Sequence, residues 1–396
     1  MDLRKQKAFQ LLKNGAIRKL EDGFAVRSQS SKRFYFVNHE YRCNCPDCQF
    51  NGTEVCKHSY AVKYYLGIEK ANGTTTKIRL TYPQAWKAYN QAQQSEVKLF
   101  DELLKDLVAD VETEQYVFGR PQLDKKEVMF CAIQKVYSQL SSRRAKSLFN
   151  KSVEAEQLKH SPNFNAVSNL LKKESTTPLL QDLLLKTAQP LKAVESKFAI
   201  DSSGFRTTKF NEYCNEKHND KKRHHEWIKA HICVGTKTNV ITGAVITRGN
   251  GKGTGDITQF SDLVEQTSQN FEAQEYSADM AYNSIGNYNL IHEKGAKAYI
   301  PFKSNITATV RSGNRGKLWR KMFHYFSLNQ EEFSSHYHNR SNAETAFHMI
   351  KSKLGDSVKS KNQTAQKNEL LCKLVAHNII VLIHEMHELG IEAKFS

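Results

Sequence analysis

The stretch EWIKAHICVGTKTNVITGAVITRG, residues 226–249, runs through two apolar-polar alternations around a turn that holds Gly235 and Asn239. Alternation of this kind predicts a half-buried antiparallel hairpin. Just upstream, SKFAID (196–201) reads as a strand ending at Asp201. Downstream, GDITQFSDLVEQTSQNF (255–271) has helical spacing with Asp256 near its start. EAQEYSAD (272–279) reads as a strand ending at Asp279, and AKAYIPF (296–302) as the strand after one more helix. KNELLCKLVAHNIIVLIHEM (367–386) predicts a helix that covers the sheet. The order β, β-hairpin, α, β, α, β, α is a mixed α/β plan.

The chemistry is densest in YHNRSNAETAFHMIK, residues 337–351, where Tyr337, Arg340, Glu344 and Lys351 are spaced Y-x2-R-x3-E-x6-K. On one continuous helix the four side chains would share a stripe about 60° wide and about 21 Å long. Beside it lie Ala343, Ala346, Phe347, Ile350 and Leu354, an apolar face able to dock on a core. A carboxylate between an arginine and a lysine suits a site where metal and polyanion meet. The plain alternative is a solvated helix with i,i+4 ion pairs.

That spacing resembles the YREK signature of the DDE transposases of bacterial and archaeal insertion sequences, the insertion-sequence-four-like group. Two further segments are similar to the same family: FAIDSSGF (198–205) and YSADMAYNSIGNYNLIHEKGAKAYIPFKSN (276–305). Three motifs in order over about half the chain are more specific than any one alone. The resemblance implies an RNase H-like mixed sheet flanked by helices. It puts the catalytic triad on Asp201, Asp279 and Glu344, the ligands for two Mg²⁺ or Mn²⁺ ions. Carboxylates are what such hard cations require. Asp201 would bridge, while Tyr337, Arg340 and Lys351 would hold neighbouring phosphates. The family also implies double-stranded DNA as partner (transposon ends and target), a hairpin on the transposon end, and a homodimer in the synaptic complex. The alternative is a catalytically silent DNA-binding or regulatory protein that retains the fold. The intact triad and signature argue against it.

Composition points the same way. The 396 residues carry a net charge of +17, an excess that fits a polyanionic partner, nucleic acid ahead of membrane. The apolar run around Ile379 and Ile383 is too short to span a bilayer, and MDLRKQKAFQLLKNG has no signal-peptide core. The expectation is a cytoplasmic, nucleoid-associated protein.

Four of eight cysteines fall in CNCPDCQFNGTEVCKH, residues 43–58. A cluster this tight reads as a metal site rather than a disulfide framework. Cys43, Cys45, Cys56 and His58 give C-x-C-x10-C-x-H, which resembles the SWIM zinc finger, with Cys48 as an alternative to Cys45. The resemblance implies a small ββα module holding one structural Zn²⁺. Whether it touches DNA or protein stays open.

The expected domains are the finger at 1–72, a helical, DNA-end-binding domain at 81–190, and the catalytic domain at 191–396. EKANGTTTKIR (69–79) reads as the first linker. Residues 119–150 are similar to the helical region that precedes the catalytic domain in related transposases. In SPNFNAVSNLLKKES (161–175), Ser161 and Pro162 read as the helix start. Asn165, Ser168, Asn169, Lys172 and Lys173 then form a polar face that suits either base and phosphate contacts or solvent. The insert KSNITATVRSGNRGKLWRK (303–321) has six basic residues and no acid. Arg311, Arg315, Lys317, Arg320 and Lys321 suit a phosphate backbone, and Trp319 an unstacked base. A second basic run is Lys221, Lys222, Arg223, His224 and His225.

Overall fold

The computed structural model describes residues 3–20, 22–31, 33–50, 55–68, 85–113, 118, 123–207, 227–249, 253–304, 306 and 313–395. The 69–79 linker and the 221–225 basic run lie outside the described residues. The chain forms two compact units, Met1–Gln84 and Ala85–Ser396.

The first unit opens with helix α1 (Leu3–Lys13), then strands β1 (Ile17–Leu20), β2 (Gly23–Arg27) and β3 (Phe34–Val37), and helices α2 (Pro46–Phe50) and α3 (Lys57–Tyr65). The strands form an antiparallel sheet in the order β1-β2-β3. The expected ββα plan gains a third strand, β1. IRKL has apolar residues only at its ends, which hid β1 from a periodicity reading. Phe24, Val26 and Val37 on one sheet face form a core with Ala8, Leu11, Ala61, Val62 and the buried cysteines.

In the second unit, α4 (Trp86–Leu107), α5 (Lys125–Tyr137), α6 (Ser142–Glu154), α7 (Phe164–Lys172) and α8 (Thr176–Ala188) precede the sheet. Then come β4 (Lys197–Arg206), β5 (Trp227–Gly235), β6 (Ile241–Arg248), α9 (Asp256–Asn270), β7 (Glu275–Ala278), α10 (Ile285–Glu293) and β8 (Lys297–Tyr299). Helices α11 (Lys317–Leu328), α12 (Gln330–Tyr337), α13 (Ser341–Leu354) and α14 (Gln363–Glu388) close the chain. The sheet order is β6-β5-β4-β7-β8. β4, β5 and β6 pair antiparallel, while β7 joins β4 and β8 joins β7 in parallel.

One hydrophobic core runs from Ala92 on α4 to Phe395, so the change near residue 190 is one of secondary structure, not the edge of a core. Helix α14 explains why. Every residue from Asn368 through Ile383 is buried, the polar ones included, so this stretch is enclosed on all sides. It packs on α4, α5, α7, α8 and β6. By length and composition α14 could cross a membrane, contrary to the expectation from the apolar run, but 78% of its most apolar window is buried inside this fold. Its polar residues are paired. Asn378 bonds both the N–H and the C=O of Ile241, and Lys373 Nζ donates to the carbonyls of Leu354, Gly355 and Ser357. Buried polar groups left unpaired would cost about 1–3 kcal/mol each.

Two starts differ from the sequence expectation. Helix α7 is capped by Asn163, whose Oδ1 accepts from Asn165 N at 2.9 Å, whereas Ser161 is bound by Lys146 and Asn150. Strand β4 also runs five residues beyond Asp201, because β5 pairs with it as far as Arg206.

Candidate active site and metal centre

The register of the sheet brings the two aspartates together. Parallel pairing of β4 with β7 ends at Ile200 and Ala278, so Asp201 and Asp279 are the next residues on neighbouring strands. Asp279 follows the carboxyl end of β7, the kind of position where open α/β sheets place ligands, and Asp201 faces it from the middle of β4. Asp279 caps a short 3-10 turn, accepting from Met280 N at 2.7 Å, and Asp201 Oδ1 accepts from Ser202 N at 2.8 Å.

Glu344 reaches the same place from α13. The 337–351 segment is not one helix. A 3-10 turn at His338–Arg340 separates α12 from α13, so the four signature residues do not lie on one continuous α-helical stripe. Glu344 falls in the first turn of α13, where the helix dipole favours an anion. The anchoring face is as expected from the sequence: Ala343, Ala346, Phe347, Ile350 and Leu354 are buried. Helix α12 is held at the sheet edge by His336, whose Nδ1 lies 2.8 Å from Glu275 Oε2 and whose ring stacks on Tyr299 at 4.4 Å.

Arg340 ties the acids together. Its Nη1 is 3.3 Å from Asp201 Oδ2, its Nη2 donates to Glu344, and its guanidinium sits 6.0 Å from the Tyr337 ring. Burial pushes the Asp201 carboxyl up. The Ser202 N–H and Arg340 oppose that, and the negative charges of Glu344 and Asp279 add to it. Like charges so coupled are what a cation relieves. Lys351 bonds Ser203 Oγ at 2.7 Å and lies 5.2 Å over the Phe205 ring; burial lowers its pKa. Asp201, Ser203 and Phe205 share one face of β4, by the period of two.

The opposite face of β4 holds a group that the sequence motifs do not include. Ser202 Oγ donates to Asp256 Oδ1 at 2.9 Å, and Lys229 Nζ donates to the same oxygen at 2.5 Å. His231 Nδ1 is 3.3 Å from it, and its Nε2 meets Thr247 Oγ1 at 2.9 Å. Burial works against Asp256, but the bonds from Lys229 and Ser202 hold its carboxyl below the usual range. Burial drives His231 down to about 4, so it stays neutral. With its charge compensated, Asp256 is a brace beneath Asp201. Its place near the start of α9 was legible; its partners on β4 and β5 were not.

The basic insert is placed in part. Arg311 and the side chain of Arg315 lie outside the described residues. Lys317 and Lys321 are exposed one turn apart on α11, and Arg320 is half-buried with Nη2 donating to Gly313 O. Trp319 is a correction. It is 6% exposed, its Nε1 donates to Asn283 Oδ1 at 2.8 Å, and its ring packs on Phe302 and Phe323. An indole so enclosed is a core residue, not an open stacking platform.

In the first unit, Cys43, Cys45, Cys56 and His58 are all buried, with ligand atoms within 4.8 Å of one another. His58 Nε2 is buried without a hydrogen-bond partner. A hydrogen bond between the Cys43 and Cys56 sulfurs raises the first thiol and lowers the second. Three thiols and one imidazole, whose Nδ1 lies 3.7 Å from Cys56 Sγ, fit a tetrahedral zinc set. Cys48 is half-buried and outside that group of four; burial first, then Cys56, pushes its thiol up to about 12.

Residues 192–379 match the family model described as Transposase DDE domain. The matched span takes in the whole five-stranded sheet and Asp201, Asp279 and Glu344. Among solved structures, the cryo-EM structure of a piggyBac transposase synaptic complex with hairpin DNA is similar at 12% identity and a TM-score of 0.34. That loose likeness covers 74% of this chain and 73% of that one. No curated protein matches the chain.

Proposed function

We propose that this chain is a DNA transposase of the insertion-sequence-four-like group that cuts and rejoins element ends through Asp201, Asp279 and Glu344. One observation carries the reading. Two aspartates at the point where the pairing of β4 with β7 stops meet a glutamate from α13, with an arginine between Asp201 and Glu344. The sheet, three antiparallel strands followed by two parallel ones about a central β4, supports an RNase H-like fold. The family match over 192–379 supports the same class.

A divalent cation pair held by the three carboxylates would supply an activated oxygen nucleophile and stabilise the leaving oxygen. The protein's own groups do the rest. Asp201 must be ionised, and Arg340 and the Ser202 N–H favour that form. Tyr337, Arg340 and Lys351 orient the phosphates flanking the scissile one, and exposed Lys317 and Lys321 take the backbone further out. We assign the Cys43, Cys45, Cys56 and His58 set to one structural zinc, since four protein ligands leave no open position. Action as a homodimer on double-stranded DNA, a cut-and-paste course, a cytoplasmic, nucleoid-associated location, and end recognition by 81–190 belong to the same proposal.

The test is cleavage of a labelled element end by the full chain with Mg²⁺ or Mn²⁺. Asp201→Ala, Asp279→Ala and Glu344→Ala should each drop cleavage below detection while end binding stays within about threefold, because affinity comes mainly from lysines and arginines. Cleavage surviving in any of the three removes that residue from the triad. End binding without cleavage by the unmodified chain would favour the silent DNA-binding alternative.

A further inference from the structure

We propose that the outer face of the β1–β3 sheet is a binding surface for single-stranded DNA. Strand alternation sorts the residues. Phe24, Val26 and Val37 turn inward and are at most 3% exposed. Their neighbours Arg18, Leu20, Ala25, Arg27, Phe34 and Phe36 lie on the other face. There Phe34 is 46% and Phe36 36% exposed, in a unit small enough to need its aromatics inside.

The two rings are presented, not merely left over. Phe34 and Phe36 are two residues apart on one face, so about 7 Å separates their backbone positions. The Arg18 guanidinium lies 5.5 Å from the Phe34 ring, and Arg27 is the register partner of Phe34. Gly23 clears the space beneath the other ring. A Cβ there would lie 2.8 Å from Phe36 Cζ and 2.5 Å from the Val37 carbonyl oxygen. The charged residues that the three strands place on this face are Arg18 and Arg27, and no strand residue is an acid. The acids nearest in sequence are Glu21 and Asp22, between β1 and β2.

Charge complementarity decides the occupant. A protein patch would have to bring acids to these arginines and still cover two phenylalanines. A nucleic acid strand supplies phosphates and flat apolar rings together, and stacking on aromatics tolerates any base. The bases must be unstacked, so a duplex, which offers only phosphates here, fits less well. Such strands arise wherever DNA ends are opened.

The experiment uses the full chain, a fluorescent oligodeoxythymidylate of about 15 nucleotides and a duplex of equal length. F34A/F36A should weaken single-strand binding at least about 25-fold, at roughly 5- to 150-fold per stacking surface removed, with duplex affinity changed less than twofold. R18A/R27A, which alters only exposed side chains, should lower the slope of log affinity against log salt by about 1.4 for the single strand. It also keeps the test open if the phenylalanine variant misfolds. Photocrosslinking to a 5-iodouracil strand should mark the peptide containing residues 34–36. Adducts confined to residues beyond 84 would overturn the proposal, as would equal losses for single strand and duplex. Unchanged affinity with altered self-association would assign the face to a second copy of the chain and overturn it too.

Discussion

The two chemical centres of this protein are built in opposite ways. The cysteine–histidine set comes from sixteen consecutive residues, and its ligand atoms already lie within 4.8 Å of one another. The carboxylate set comes from two strands and a helix, spread from residue 201 to residue 344; its like charges oppose one another, and Arg340 bridges Asp201 and Glu344. A structural metal site can be read from spacing because the ligands are the local fold. The geometry of the carboxylate set cannot, because it belongs to a sheet that must form first.

The largest effect should come from breaking the local centre. Replacing Cys56 or His58 by Ser in the full chain should release one zinc per chain and open residues 1–84 to protease. Zinc binding in such modules is worth about 10–16 kcal/mol. Residues 85–396, with their own core, should keep their melting transition. Elemental analysis and limited proteolysis read both. A metal-free chain whose first unit resists protease would break the contrast.

Trp319 tests the second centre's surroundings. As a core residue, Trp319→Ala should cost about 3–5 kcal/mol of stability, read by chemical denaturation, with no change in the salt slope of DNA binding. Full stability with impaired base stacking would restore the open-platform expectation.

Lys317 and Lys321 should behave in the reverse way. Each change to Ala should leave stability within about 0.5 kcal/mol. For duplex ends, each should lower the salt slope by about one, the amount expected when a single phosphate is no longer neutralised. An unchanged slope for both would mark a solvated face.

The smallest effect is on stability and concerns Asp201 itself. Its carboxyl is raised in the folded state, so the folded chain binds that proton more tightly than the unfolded chain does. The stabilisation is full below the ordinary carboxylate range and is lost as pH rises through the raised value. Asp201→Asn should therefore raise the melting temperature at neutral pH while abolishing cleavage. The gain should shrink as pH falls, as scanning calorimetry across pH 3–7 would show. A lower melting temperature at neutral pH would mean that the ion pair with Arg340 outweighs burial.

The sequence alone determined the elements whose signal is local. The 226–249 hairpin, the helix after it, the apolar face of α13 and the Cys/His spacing all follow from periodicity or contiguity, and the fold returned them. What only the tertiary structure decided depends on partners far along the chain. Pairing with β5 carried β4 past Asp201, and the end of pairing with β7 set Asp201 beside Asp279. Packing against Asn283 and Phe302 made Trp319 core rather than surface. Ser202, Lys229 and His231 turned Asp256 from a helix-start residue into a brace. Spacing fixes which way a side chain points on its own element. Register and packing between elements fix what it meets there, because those pairings are chosen by burial across the whole core and leave no periodic trace in the sequence.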